Sequence, residues 1–247
     1  MNNDGDGAIR RLGAVLGIWA HPDDETYLSA GVMASVARSG APVACVTATR
    51  GEQGSLDPER WPPSRLAEIR TAELDAALEI LGVSQHHWLD LPDGGCASVP
   101  ARGVVARLAD LIAEHRPDTI LTFGPDGMTG HPDHRAVSEW VTAAVAASAR
   151  PPRVLHATTT PQWRDELLAN LEGLDVFAPG TPATTPSEEL ALHLELTGDV
   201  LDLKLSALRA QPSQTAVLRE AVGEERYRRQ LATEMFRAAD ATGRPRD

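Results

Sequence analysis

Short apolar runs alternate with segments of helical period along most of this chain, and no other feature limits its fold as strongly. Residues 12–20 form a nearly continuous apolar run, the pattern of a central parallel strand buried on both faces. Residues 26–39 then read as a helix and 42–49 as a strand. Residues 63–81 carry Leu66, Ile69, Leu74, Leu78 and Leu81 at helical spacing and end at Gly82, a common helix stop. The alternation continues with a strand over 85–91, a helix over 99–115, a strand over 118–124, a helix over 131–149 and a strand over 153–160. Strands joined through helices make right-handed crossovers, so the expected fold is α/β, a mainly parallel sheet flanked by helices. At 247 residues the chain fits one such domain, 1–247. Residues 1–11 read as a flexible polar tail, and 175–188, rich in Pro, Thr and Gly, as a surface loop near the strand ends. Residues 190–196 suggest an edge strand, with amphipathic helices over 200–209 and 217–239.

Charge and composition exclude several classes of partner. A formal net charge of -12 opposes binding to phosphate backbones, which depends on clustered Lys and Arg, so no nucleic acid is expected. The two cysteines, Cys45 and Cys96, stand far apart outside any CxxC pattern, which argues against a disulfide framework or a thiolate zinc site. "RRLGAVLGIWA" superficially resembles an export signal. Asp4 and Asp6 spoil its basic region, however, and no A-x-A precedes the break, so it reads better as a buried strand. No stretch approaches the roughly 20 apolar residues that span a bilayer. No membrane association is expected, and the cytoplasm is the default location.

Two clusters carry the chemistry. "HPDDE" (21–25) follows the first strand and "GHPDH" (130–134) follows the strand over 118–124. In open parallel sheets, ligands bind in the crevice beyond the carboxyl ends of the strands, and both clusters fall there. Asp23, Asp24 and Glu25 beside His21 crowd like charges that call for a cation or a proton among them. Pro132 suits a first helical turn, so His131 and His134, three residues apart, share one helical face. His21, Asp24 and His134 would supply two imidazoles and a carboxylate around an open position, the usual layout of a catalytic zinc site. Zinc in such a site lowers the pKa of water toward neutrality. Either cluster alone also reads as a plain helix start, with Asp favoured by the helix dipole; it is the pair that points to a metal.

At these residues the chain resembles the LmbE-like (PIG-L) family of zinc-dependent N-acetylglucosaminyl de-N-acetylases, which includes the deacetylases of the mycothiol and bacillithiol precursors. "AHPDDE" (20–25) and "GHPDH" (130–134) carry the likeness. Weaker echoes are "TRGEQG" (49–54), "EIRTAELDAALEILGV" (68–83), "LPDG" (91–94) and "KLSALRAQPSQ" (204–214). The resemblance implies a Rossmann-like, LmbE-like fold, with His21, Asp24 and His134 as ligands of Zn²⁺ and Asp23 as general base. It further implies that His131 steadies the oxyanion and that Asp133 orients the His131 ring. Arg50, Glu52, Arg70 and Asp93 fall in family segments near the substrate, and each could equally be a surface ion pair. Thr129 stands where some members carry a Tyr, and Gln211 where others carry His. Fe²⁺ would suit the same ligands.

The expected activity is removal of an N-acyl group, acetyl in the first instance, from a glucosamine-containing small molecule. The alternatives are an amidase acting on a larger conjugate, such as a thiol-sugar adduct or an acylated antibiotic glycoside, and a metal-retaining sugar-binding protein without turnover. A nucleotide-binding domain is disfavoured: no Gly-rich turn follows the first strand, and the carboxylates there would repel a pyrophosphate. The oligomeric state is left open, a homo-oligomer included.

Overall fold

The computed structural model describes residues 3–171 and 176–239. In chain order the elements begin with α1 (Asn3–Arg10), β1 (Val15–Trp19), α2 (Asp24–Arg38), β2 (Val43–Thr49), α3 (Leu66–Leu81), β3 (Gln85–Leu91), α4 (Ala101–His115), β4 (Thr119–Phe123) and α5 (Pro132–Ala146). There follow β5 (Arg153–Ala157), α6 (Pro161–Asn170), β6 (Leu192–Glu195), α7 (Gly198–Arg209), α8 (Pro212–Val222), α9 (Glu224–Gln230) and β7 (Thr233–Ala238). Every residue of β1, β2 and β4 is buried, as their unbroken apolar runs require of strands covered on both faces.

One sheet runs in the order β3-β2-β1-β4-β5-β7-β6. The first five strands are parallel, and β7 is antiparallel to both β5 and β6. The mainly parallel α/β architecture expected from the sequence is therefore the one observed. From β1 the chain first builds outward to β2 and β3, then returns to add β4 on the other side. This reversal sends α2 and α3, with α7, to one layer and α4 with α5 to the other. It also opens a crevice beyond the adjacent carboxyl ends of β1 and β4, where the two His/Asp clusters lie.

Two expectations fail. The helix read over 217–239 is α8, a turn at Gly223 and the short α9, followed by β7, which enters the sheet between β5 and the edge strand β6. Its register, Leu155↔Ala238 and Leu192↔Phe236, joins segments far apart in sequence, which no local periodicity reports. The segment read as a flexible tail carries α1, and Ile9 and Leu12 join the hydrophobic core; residues 1–2 lie outside the described residues. Of the loop over 175–188, residue 175 likewise lies outside them, and the rest is irregular with one 3-10 turn at Ser187–Glu189. Among the described residues, no helix is long and apolar enough to cross a membrane.

Behind the crevice a buried ion pair joins three elements. Lys204 of α7, 1% exposed, donates to the Tyr27 carbonyl (2.7 Å) and to Glu234 Oε1 (2.9 Å). Glu234 of β7 accepts from the Gly31 and Val32 amides in mid-α2, each at 2.8 Å. Both charges are thus paired and hydrogen-bonded, the condition under which ions are tolerated in a core.

Candidate active site and metal centre

The side chains around the two His/Asp clusters come from strand carboxyl ends and the first turns of the helices that follow them. The segment after β1 brings His21, Asp23 and Asp24; the loop after β2 brings Gln53 and Gly54; the loop after β3 brings Asp93 and Gly94; the segment after β4 brings Thr129, His131 and His134. A cavity of about 530 Å³ opens above them.

Three donor groups converge on one point. His21 Nδ1 lies 3.1 Å from His134 Nε2, and the two oxygens of Asp24 reach one ring each, Oδ2 at 3.5 Å from His21 Nδ1 and Oδ1 at 3.4 Å from His134 Nε2. Ligands held at about 2.0–2.2 Å around a tetrahedral ion stand roughly 3.3 Å apart, so the triangle has the size of one face of such a site. The opposite nitrogens of both rings are already engaged. His134 Nδ1 donates to the Gly127 carbonyl (2.9 Å), which leaves Nε2 as a lone pair. His21 Nε2 sits against Asp93 Oδ1 (3.2 Å) and Asp133 Oδ2 (3.3 Å), so its proton faces those carboxylates and Nδ1 faces the point of convergence. Carboxylate or carbonyl partners of this kind fix the tautomer of metal-bound histidines. The residues therefore fit a divalent ion.

The titration behaviour agrees with this. Burial, aided by the nearby His21, takes the His134 imidazole down to about 4 although Asp24 opposes the shift, so the ring is neutral. Burial would raise the Asp24 carboxyl, but His134 and His21 outweigh it and hold it at about 2. At His21 burial opposes charge, yet hydrogen bonds to Asp133, Asp24 and Asp93 raise the pKa well above the usual imidazole range. A proton there serves as the counter-charge that an incoming cation displaces.

Asp23 lies beside this triangle with 19% of its side chain exposed, and it lines the cavity. Burial pushes its carboxyl up to about 8, while the Arg70 guanidinium at 3.5 Å pulls the other way. Its backbone sits at φ 124°, a conformation costly for a residue with a Cβ and of the kind that clusters at functional sites. Glu25 helps hold it there: the fully buried carboxylate accepts from the Asp23 amide (2.9 Å), Thr26 Oγ1 (2.5 Å) and Gln211 Nε2 (2.9 Å). Gln211 thus supports the Asp23 loop from behind.

His131 caps α5. Its Nδ1 accepts from the Asp133 backbone N–H at 3.2 Å, which places the ring proton of the neutral form on Nε2. Burial, together with His21, lowers its pKa. Thr129 Oγ1 lies 3.2 Å from His134 Nδ1 and accepts from the His131 amide, so it braces both rings.

Several expected roles shift. The Asp133 carboxylate accepts from the Gly94 (2.8 Å) and Cys96 (3.0 Å) amides and faces His21; what orients His131 is the Asp133 backbone. Arg50 does not line the cavity. It donates to Asp90 and Thr71 and stacks over Trp88 at 4.0 Å, which is the ion-pair alternative. Glu52 is also outside the cavity lining, its Oε1 accepting from the Asp93 amide at 3.0 Å. Asp93 does reach the cavity, between His21 and the Gln53 amide (2.7 Å). Arg70, 3% exposed, lines the cavity and donates to the carbonyls of Gly51 (2.9 Å) and Pro22 (2.5 Å). A Cβ on Gly51 would fall 2.3 Å from the guanidinium, and φ there is +65°, so only glycine admits this approach. Gln53, Gln214 and the apolar wall from α6, α8 and β7 escaped sequence reading. For α6 a usable signal existed, Thr160 followed by Pro161 as an N-cap and first helical residue.

A mainly parallel α/β sheet with a histidine–carboxylate triad at its switch point, and an acidic side chain beside it, has the layout of an α/β protein able to hold a metal ion there. The chain belongs to the PIG-L family, GlcNAc-PI de-N-acetylase, which matches residues 16–145. Among its relatives is the 1D-myo-inositol 2-acetamido-2-deoxy-alpha-D-glucopyranoside deacetylase of Kineococcus radiotolerans, 31% identical over 250 residues, covering 82% of this chain and 69% of that protein. The fold is similar to that of N,N'-diacetylchitobiose deacetylase from Pyrococcus horikoshii, with TM-score 0.67 and 24% identity, covering 97% of this chain and 88% of that one. It is also similar to the zinc-inhibited form of teicoplanin deacetylase Orf2, with TM-score 0.63 and 19% identity, covering 92% and 99%. The relatives above 30% identity are thus named as deacetylases of an N-acetylated sugar conjugate, and the metal dependence of the family is matched here by a His/Asp cluster.

Proposed function

We propose that this chain is a metal-dependent N-deacetylase that releases acetate from the amino group of a glucosamine-containing small molecule. The observation that carries the reading is the set of three donor groups with facing atoms 3.1–3.5 Å apart, and the Asp23 carboxyl, 3.5 Å from Arg70, beside them. His21, Asp24 and His134 would hold the ion, Zn²⁺ or Fe²⁺. When bound, it supplies a Lewis acid that polarises the amide carbonyl and makes water more acidic.

The chain's own residues do the rest. Asp23 takes a proton from the attacking water and passes it to the departing amine; a carboxyl with a raised pKa suits both tasks. His131 offers Nε2–H to the oxygen on which negative charge develops, and its Nδ1, already accepting from the backbone, keeps the ring neutral in that orientation. Asp93 and Asp133 hold His21. Arg70 fixes the loops that carry Asp23 and borders the cavity beside it. A cytoplasmic location remains part of this proposal, resting on the sequence alone.

The direct test is release of free amine from N-acetylglucosaminyl conjugates by the purified protein. Chelation is expected to abolish the activity, and titration with Zn²⁺ or Fe²⁺ up to one equivalent to restore it, the better ion naming the native metal. Stoichiometric metal with no amine released from any conjugate would overturn the reading. His131→Ala is expected to lower kcat by about 10²–10³ with metal content unchanged; elemental analysis beside steady-state kinetics checks both halves.

A further inference from the structure

We infer that the substrate carries an extended apolar group, alkyl or aryl, on its amino sugar, and that this chain selects for it. The inference rests on the deacetylase reading above. The polar groups of the cavity gather on one side: Gln53, Arg70 and Gln214 lie near Asp23, where the hydroxyls of a sugar attached to the departing nitrogen need partners. The other side is mainly apolar, with Gln230 and Thr233 among its polar members, and comes from elements remote from the ligand loops. Trp163, Leu167 and Leu171 stand four residues apart, so they form one stripe along α6 and its C-cap. Leu218, Leu231 and Met235, from α8, the turn after α9 and β7, line the same cavity.

Leu231 belongs to the main core and Leu171 and Leu218 pack against it, but two observations mark the α6 side of this wall as a binding surface. No residue of α6 is fully buried, and Trp163 and Leu167 belong to neither hydrophobic cluster of the described residues, although both line the cavity. A solvent-exposed ion pair between Glu166 and Arg229, at 2.6 Å, links α6 to α9. Apolar surface left wet is unfavourable and is relieved by an apolar occupant. The methyl of an acetyl group is too small to cover a wall drawn from four elements. A polyhydroxylated partner such as inositol would lose water from its hydroxyls against the α6 stripe, where Trp163, Leu167 and Leu171 offer no replacement, although Gln230 and Thr233 beside Leu231 and Met235 would pair with some of them. With acetyl as the acyl group, the part of the substrate left to fill the wall is the aglycone.

The test compares kcat/KM for the methyl and octyl glycosides of N-acetylglucosamine, the octyl compound kept monomeric. The octyl glycoside is expected to exceed the methyl by about 30-fold, mostly through KM. Trp163→Ala and Leu167→Ala are each expected to bring that ratio down toward about three. A wild-type ratio below about three, or preference for an inositol conjugate over the octyl glycoside, would overturn the inference. So would preference for N-octanoylglucosamine, which gives the wall to the acyl group. If no amide is cleaved, the deacetylase reading fails on its own. Calorimetric binding of the same two glycosides then decides the inference: tighter octyl binding that Trp163→Ala removes supports it, and equal binding overturns it.

Discussion

Asp23→Asn is expected to lower kcat by about 10³ or more while metal content and folded structure stay unchanged. The substitution is isosteric, so cavity shape is kept. Asn is also among the residues that best tolerate positive φ, so the backbone at φ 124° gains no new strain. What is lost is the lone-pair basicity: an amide cannot take a proton from water or return one to an amine. The carboxylate's attraction for Arg70 at 3.5 Å is lost as well, but that guanidinium keeps its bonds to the Gly51 and Pro22 carbonyls and need not move. Elemental analysis, circular dichroism and kcat measured together decide the matter. Turnover within about threefold of the parent, with metal still bound, would remove Asp23 from the mechanism.

The second large effect is expected from His134→Ala, which should weaken metal binding well beyond the 10–100-fold typical of losing an outer partner. His134 is one corner of the donor triangle, held by the Gly127 carbonyl on one side and stacked on Phe123, with ring centroids 4.1 Å apart and planes 11° from parallel. Its removal leaves only His21 Nδ1 and the Asp24 carboxylate, so the protein as purified should carry far less than one equivalent of metal and show no measurable turnover. High external metal should restore part of the activity, which separates a lost ligand from a lost fold. A variant that keeps full metal occupancy after dialysis against chelator would show that the ion sits elsewhere.

The sequence was informative wherever one segment alone determines the outcome. The runs that became β1, β2 and β4 are apolar throughout because both faces are covered, and the histidine clusters follow directly because parallel topology puts them at strand ends. The donor triangle was legible for the same reason: His21 and Asp24 share one loop, and His134 follows the neighbouring strand. What could not be read locally was decided by distant partners. β7 is a strand because β5 and β6 offer it open edges; on its own, "TEMFRA" continues a helical pattern. Arg50 and Asp133 show the same limit within the site. The family segments place them near the crevice, but Arg50 is claimed by Asp90 and Trp88, and the Asp133 carboxylate by the amides after β3. The apolar wall is assembled from α6, α8, the turn before β7 and β7 itself, four pieces with no shared motif.

The place of β7 has a consequence for synthesis. It is made after β6 yet lies inside it, between β6 and β5. Until residue 233 has left the ribosome, the free rim of β5 is bare and β6 has nothing to pair with, so the nascent polypeptide presents an unpaired β edge while its first five strands are already able to assemble.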